Sequence, residues 1–148
     1  MTGHKVTQRD CDPDFLQDLF DQVQIDDNLR CGCILQEDAS IDVVLVPGLN
    51  RPYHYYYRLA AWLAEKHHAN IYIPDRYGGD HHKANAIVRE QCDQLHRVID
   101  TNNIDGTSRP LYLIGHSWGG LLALSYLAEN QRNAHGAIIS GALLGAPF

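Results

Sequence analysis

Short apolar runs and helical spacings alternate along the chain from residue 29 onwards. The apolar runs predict five strands, over 29–36, 41–46, 70–73, 111–114 and 136–140. Between them, apolar residues recur at helical spacing over 56–64 and 83–102, which predicts two helices. The segment 121–128 is apolar almost all round, which predicts a third helix that is buried. Strands that alternate with helices are typical of parallel sheets. We therefore expect an α/β fold, a mostly parallel, doubly wound sheet with helices on both faces.

The first 28 residues follow a different pattern. Asp12-Pro13 is typical of a helix start, and the spacing of Phe15, Leu16, Leu19, Phe20 and Val23 predicts an amphipathic helix over 13–24. We expect 1–28 to form an N-terminal extension and 29–148 to form the core of a single domain. The chain shows no internal repeat and no linker that would divide this core.

Composition narrows the classes of function. The chain has 148 residues, is 45% hydrophobic and 20% charged, and carries a formal net charge of −6. This length suits one domain. The acidic balance argues against nucleic acid as a partner, because no basic stripe is present to neutralise phosphates. No apolar run reaches the ~18 residues of a membrane span. The first residues lack the apolar segment of a secretory signal, so we expect a cytoplasmic protein.

Cysteine and histidine spacing gives no metal signature. The cysteines stand at positions 11, 31, 33 and 92, without a second closely spaced pair to complete a ligand set. We expect free thiols in a reducing compartment. The nine histidines include the doublets His67-His68 and His81-His82, whose adjacent side chains diverge. We expect no metal and no cofactor.

The segment from Leu111 to Gly120 carries the candidate chemistry. It contains Gly115-His116-Ser117-Trp118-Gly119, a G-x-S-x-G motif between a predicted strand and a predicted helix. This context is typical of a nucleophile elbow, in which a sharp turn holds the serine hydroxyl clear of the backbone. Gly115 and Gly119 are expected because side chains there would collide. Ser117 is therefore the candidate nucleophile, and the amide of Trp118 is a candidate oxyanion donor.

A second oxyanion donor is expected after an earlier central strand. The run over 41–46 ends at Pro47-Gly48, and Gly48 allows a turn that directs the amide of Leu49 towards Ser117. The alternative is a tight turn that binds a phosphate at a helix N-terminus in another doubly wound protein. No G-x-x-x-x-G-K-[ST] or G-x-G-x-x-G motif supports that alternative.

With these motifs the chain resembles the α/β-hydrolase superfamily, over about residues 29–146. The matching pieces are the segments 43–48, 72–76 and 113–120, the last of which is similar to the GHSxGG elbow of monoacylglycerol-lipase-like and lysophospholipase-like enzymes. The resemblance implies a serine hydrolase that cleaves lipid-like carboxylic esters through an acyl-enzyme on Ser117. It differs at Pro47, where the family usually has histidine, and it does not account for the helix over 13–24.

The remaining triad members are not found where the resemblance would place them. The family order is serine, then an acid, then histidine. Only 31 residues follow Ser117, with no Asp or Glu after Glu129 and only His135 as a later histidine. His135 is expected at the opposite sheet edge, and His116 should point into the fold. His54, His81, His82 and Asp75 share the edge of Ser117, but no spacing makes one of them its base. We expect an N-terminal portion of a hydrolase that is inactive by itself.

Two other functions stay open from the sequence. An acyltransferase or thioesterase would use the same nucleophile and oxyanion donors with another acceptor or acyl group. A non-catalytic interaction module would instead use the tyrosines of 53–57 and the last strand. In that strand Ile138 and Ile139 are expected on an uncovered sheet edge, which favours self-association.

Overall fold

The computed structural model describes residues 20–26, 29–49, 53–76, 84–104, 106–130 and 134–142. The strands are β1 (Asp21–Asp26), β2 (Leu29–Ile34), β3 (Ile41–Val46), β4 (Ala69–Arg76), β5 (Leu111–His116) and β6 (Ala134–Ser140). The helices are α1 (Tyr57–His67), which follows a 3₁₀ turn over Tyr53–Tyr56, α2 (Ala84–Thr101) and α3 (Trp118–Asn130).

The strands form one mixed sheet in the order β1-β2-β4-β3-β5-β6. β4, β3, β5 and β6 are parallel, whereas β2 is antiparallel to both of its neighbours. The central strand β3 is buried on both faces from Val43 to Val46, as expected for a parallel strand between helix layers. The predicted fold class, a mostly parallel α/β sheet, is confirmed.

Helices cover both faces of the sheet, and the sheet separates the hydrophobic core into two clusters. On one face, α1 packs against alternate residues of β3 and β4, a cluster that includes Tyr57, Ala60, Ala64, Val43, Leu45, Ile71 and Ile73. On the other face, α2 and α3 pack against the remaining residues, a cluster that includes Leu95, Val98, Leu122, Tyr126, Val44, Val46 and Leu113. None of the described helices combines the length and the hydropathy needed to cross a membrane.

The helix predicted over 13–24 differs from the structure in its last part. Residues 21–26 form β1, which pairs antiparallel with β2, so that Val23 lies opposite Cys31. In this segment apolar Val23 and Ile25 alternate with polar residues, which is the period of a strand. The helical spacing came mainly from Phe15, Leu16 and Leu19, and residues 13–19 lie outside the described part.

A partly buried polar network joins four segments at the amino edge of the parallel strands. The Asp42 carboxylate of β3 accepts hydrogen bonds from Arg109 Nε at 3.1 Å to each oxygen and from Asn70 Nδ2 at 2.9 Å. The Asn70 side-chain oxygen accepts the amide of Gln36 at 2.9 Å. This network connects β3 and β4 with the loop after β2 and the segment before β5. It lies at the opposite edge from Ser117.

Candidate active site

Ser117 lies at the sharp turn between β5 and α3. β5 ends at His116 and α3 begins at Trp118, so that Ser117 is the single residue between strand and helix. Its φ is +54°, in the left-handed region that L-residues rarely adopt. The carbonyl oxygen of Ser117 accepts the amides of Gly120 at 3.0 Å and Leu121 at 3.3 Å, which starts the helix. Such a strained strand-to-helix turn presents its side chain outwards.

Gly115 and Gly119 allow the strand and the helix to approach each other at this turn. A Cβ added to Gly115 would lie 2.5 Å from the carbonyl oxygen of Gly119. A Cβ added to Gly119 would overlap the carbonyl oxygen of Val46 at the end of β3. Backbone atoms cannot move aside as a flexible side chain can, so both positions require glycine.

The turn after β3 lies beside Ser117. Pro47 and Gly48 are buried, and a Cβ built on Gly48 would lie 3.6 Å from the Cβ of Ser117. Leu49 follows directly, with half of its surface exposed. The structure therefore brings together the two segments that the sequence analysis selected as donors, Pro47–Leu49 and Ser117–Trp118.

Three hydrogen bonds connect these two segments to residues in other parts of the fold. The amide of Ser117 donates to the carbonyl oxygen of Ser140 at 2.8 Å. The amide of Gly48 donates to the Tyr56 hydroxyl at 3.0 Å. The indole Nε1–H of Trp118 donates to Oε1 of Gln91 at 2.7 Å, and both side chains are buried. Sequence reasoning missed Ser140, Tyr56 and Gln91, because hydrogen bonds between distant segments leave no local pattern.

The sequence predicted that the side chain of His116 points into the fold, and this prediction is wrong. His116 is exposed at the end of β5, and its ring lies next to Gly48 and Gly141. In β5, Leu111, Leu113 and Gly115 face α3 and are buried, whereas the alternate positions face the other side of the sheet. In the described residues α1 covers β3 and β4 on that side but leaves His116 accessible.

The other candidate bases and acids are dispersed. The His135 ring lies 6.4 Å from that of Tyr112 near the start of β5, at the other end of the strand from Ser117. His54 is exposed and stacks on Tyr55 at 4.8 Å. Asp75 is half-buried near the end of β4, whereas His81 and His82 lie outside the described residues. In the described part, no group of three or more His, Cys, Asp or Glu side chains is arranged to hold a metal ion.

The buried thiols belong to β2 and α2, in the core cluster that also contains Leu95 and Leu122. Burial, and then the neighbouring carboxylates of Glu129 and Asp93, raise the pKa of Cys92 to about 11. The pKa of Cys31 is raised well above its ordinary value, first by its contact with Cys33, whose Sγ lies 3.7 Å away, and then by burial. Because the thiolate is the reactive form, both cysteines are held in an unreactive state.

Comparison with known proteins identifies the family. The family model described as serine aminopeptidase, S33, matches residues 37–147. The chain is 27% identical over 115 residues to a proline iminopeptidase of Flavobacterium johnsoniae, a match that covers 74% of this chain and 38% of that protein. The chain therefore spans well under half of the length of this curated relative.

Solved structures share the fold. A putative lipase from Acinetobacter baumannii superposes with a TM-score of 0.68 at 16% identity, over 95% of this chain and 48% of that one. A soluble variant of the monoglyceride lipase from Saccharomyces cerevisiae superposes with a TM-score of 0.59 at 17% identity, over 84% of this chain and 44% of that one. With the sheet order, the helix layers and the family match together, the chain belongs to the serine aminopeptidase S33 family of the α/β-hydrolase superfamily.

Proposed function

We propose that this chain carries the nucleophile and the oxyanion hole of a serine hydrolase that acts through an acyl-enzyme on Ser117. The observation that carries the proposal is the left-handed conformation of Ser117 directly before α3, with the turn of Gly48 and Leu49 beside it. A helix N-terminus favours negative charge, because its first amides have no acceptor within the helix. The oxyanion of an acyl-transfer reaction would develop at this place.

The reaction begins when Ser117 Oγ attacks the carbonyl carbon of the substrate. The hydroxyl proton passes to a general base, the carbonyl oxygen becomes an oxyanion, and the amides of Leu49 and Trp118 donate hydrogen bonds to it. Collapse of this intermediate expels the alcohol, which takes a proton, and leaves an ester on Ser117. Water then cleaves this ester, which releases the acid and regenerates the hydroxyl.

We propose a small carboxylic ester with a lipid-like acyl group as the substrate. The resemblance of residues 113–120 to the elbow of monoacylglycerol-lipase-like enzymes supports this choice. An acyltransferase or thioesterase would share every step up to the acyl-enzyme and would differ in the acceptor or the leaving group. Comparing hydrolysis of p-nitrophenyl butyrate with turnover of butyryl-CoA separates these reactions.

The family match supports peptide hydrolysis as a second candidate. The matching model describes serine aminopeptidases, and the curated relative is a proline iminopeptidase. The same nucleophile and donors would then act on an amide, whose amine leaving group must be protonated by an acid. Release of aminomethylcoumarin from its prolyl derivative, measured beside ester hydrolysis, decides between the two substrate classes.

We propose that the 148-residue chain by itself reacts slowly, because no described histidine is placed as the base of Ser117. An external base should then restore part of the reaction. The experiment treats the chain with p-nitrophenyl butyrate, with and without imidazole, and measures the butyryl adduct on the Ser117 peptide by mass spectrometry. We expect a slow acylation that imidazole accelerates, and no adduct on this peptide in Ser117→Ala. Equal acylation of the variant peptide would refute the nucleophile.

Two further proposals concern the cellular compartment of the protein and its self-association. The three described cysteines Cys31, Cys33 and Cys92 are free thiols, which supports a reducing, cytoplasmic compartment. β6 is one of the two edge strands of the described sheet, and Ile138 on it is 65% exposed. An open edge with an exposed apolar residue supports self-association of this chain through β6.

A further inference from the structure

The two segments of the candidate oxyanion hole are each held by one side chain from another part of the fold. Tyr56 is the last residue of the 3₁₀ turn before α1, and its hydroxyl accepts the amide of Gly48 at 3.0 Å. Gln91 belongs to α2, and its Oε1 accepts the indole N–H of Trp118 at 2.7 Å. One contact orients the residue before Leu49, and the other orients the side chain of the residue after Ser117.

We propose that Tyr56 and Gln91 are positioning residues that together set the distance and direction of the two oxyanion donors. This inference rests on the proposed function, since it concerns the same amides of Leu49 and Trp118. Neither side chain is assigned contact with the substrate. Each acts through the backbone that it holds.

The first contact determines which amide of the turn after β3 is available. Gly48 and Leu49 are consecutive, so either amide could in principle face an oxyanion. The hydrogen bond to Tyr56 occupies the Gly48 amide and leaves Leu49 as the donor of this turn. Gly48 has no side chain to restrict its dihedral angles, so an external partner is needed to hold the turn in one conformation.

The second contact fixes Trp118 against α2. The indole is 6% exposed and Gln91 is 7% exposed, so the hydrogen bond lies away from water. Such a bond is costly to break, because the indole N–H would be buried without a partner. With its side chain anchored on α2, Trp118 has less freedom to turn its backbone amide.

A glutamine on the same helix provides a matched control. Gln94 lies three residues after Gln91 on α2 and is 6% exposed, but its Oε1 has no hydrogen-bond partner among the described residues. Tyr55 is the corresponding control for Tyr56, since it is adjacent and 61% exposed. Neither control residue is the partner in the hydrogen bond of the Gly48 amide or in that of the Trp118 indole.

The kinetic test measures labelling of Ser117 by a fluorophosphonate in imidazole buffer, at several probe concentrations, in the 148-residue chain. For Tyr56→Phe and for Gln91→Met we expect the maximal labelling rate to fall roughly 10-fold, because loss of a whole oxyanion donor costs about 10²–10³-fold and these changes only displace one. The half-saturating probe concentration should stay within about twofold, since only the transition state carries the oxyanion.

The double variant and the controls complete the kinetic design. The combined loss should reach about 100-fold, because changes at separate contacts act independently. Tyr55→Phe and Gln94→Met should label at the rate of the unchanged chain. Thermal unfolding of every variant distinguishes a displaced oxyanion donor from a loss of the folded structure. If Gln91→Met does not fold, Gln91→Asn replaces it. Unchanged labelling in Tyr56→Phe and Gln91→Met, or an equal loss in the controls, would overturn the inference.

A second measurement does not depend on the reactivity of Ser117. In a ¹⁵N-labelled Ser117→Ala chain, added hexanoate should shift the amide resonances of Leu49 and Trp118, because a carboxylate resembles the oxyanion. These shifts should shrink when Tyr56→Phe or Gln91→Met is added and persist with Tyr55→Phe or Gln94→Met. If Ser117 is never acylated but the shifts depend on Tyr56 and Gln91, the proposed function fails and the positioning role stands. Shifts that are independent of both residues would overturn the positioning role whatever the acylation shows.

Discussion

The amide of Ser117 donates a hydrogen bond to the carbonyl oxygen of Ser140 at 2.8 Å, which joins the turn after β5 to the end of β6. Ser117 has a positive φ, and this bond continues the parallel pairing of β5 with β6, in which His116 lies opposite Ser140. The carbonyl of Ser140 satisfies this amide, so β6 helps to hold the strained turn. The conformation of the candidate nucleophile thus depends on a strand that follows it in sequence by a whole helix.

Replacing Ser117 with glycine should stabilise the protein. The φ of +54° is unfavourable for any residue with a Cβ, and glycine relieves a cost of about 1 kcal/mol. Urea denaturation should show a corresponding increase in the free energy of unfolding. In Ser125→Gly, within α3, the same change should instead destabilise the protein by roughly 1 kcal/mol because it loosens a helix interior. A loss of stability in Ser117→Gly would contradict the strain at the elbow.

Replacing Gly119 with alanine should destabilise the fold by more than about 3 kcal/mol, because the new methyl group overlaps the carbonyl of Val46. The sign of the change in stability is informative, because helix propensity alone favours alanine over glycine by about 1 kcal/mol. Circular dichroism during denaturation measures the change. Gly136→Ala is the control, because its methyl group would meet only the Tyr112 side chain, at 3.3 Å. A stabilised Gly119→Ala would show that β3 and α3 are farther apart.

Arg109→Met should destabilise the protein by about 2–3 kcal/mol, because it leaves the buried carboxylate of Asp42 without its cation. The matched control is Lys66→Met, which removes the cation of the exposed pair with Glu65. Such surface pairs contribute little, so this change should stay within about 0.5 kcal/mol. Urea midpoints for the two variants give the comparison, and equal effects would argue that the Asp42 network is not important for stability.

Stability should fall as the pH rises above about 9. The unfolded Cys92 thiol ionises near its ordinary pKa of 9.0, whereas the folded thiol keeps its proton up to about 11. Between these values the folded state binds more protons, so the free energy of unfolding decreases with pH, by about 1 kcal/mol per pH unit for this group. The raised pKa of Cys31 acts in the same direction.

Denaturation curves of Cys92→Ala at several pH values between 8 and 10, chosen around the ordinary pKa of 9.0, test this assignment. The variant should lose stability less steeply than the unchanged chain, because one ionising group has been removed. Its lower stability at neutral pH, due to the smaller side chain, does not affect the slope. Identical slopes in both proteins would assign the alkaline loss to other groups.

Ile138→Lys should reduce self-association, since a charged residue on the outer strand opposes edge-to-edge pairing. Light scattering coupled to size-exclusion chromatography, over a range of protein concentrations, measures the mass of the species. Leu35→Lys is the matched control, because Leu35 is 57% exposed but lies in the loop after β2, away from β6. A monomeric unchanged chain, or equal effects of the two variants, would contradict association through β6.

The elements of the core were predictable because their signals are local. The run over 41–46 coincides with β3, and the predicted helix over 83–102 differs from α2 by one residue at each end. The first is an apolar run, typical of a strand that is buried on both faces, and the second has apolar residues that recur at the period of a helix. At 21–26 the spacing of apolar residues fits the period of a helix and also that of a strand. Pairing with β2 stabilises the strand.

The sequence by itself also determined which residues are candidates for the chemistry, since the spacing of Gly115, Ser117 and Gly119 and the Pro47-Gly48 turn can be recognised without a fold. Only the tertiary structure decided what holds them. Tyr56, Gln91 and Ser140 come from a 3₁₀ turn, a helix and a strand that no motif connects to the elbow. The physical reason is that a hydrogen bond needs only two groups about 3 Å apart. Chain topology sets that proximity, and local residue patterns do not record it.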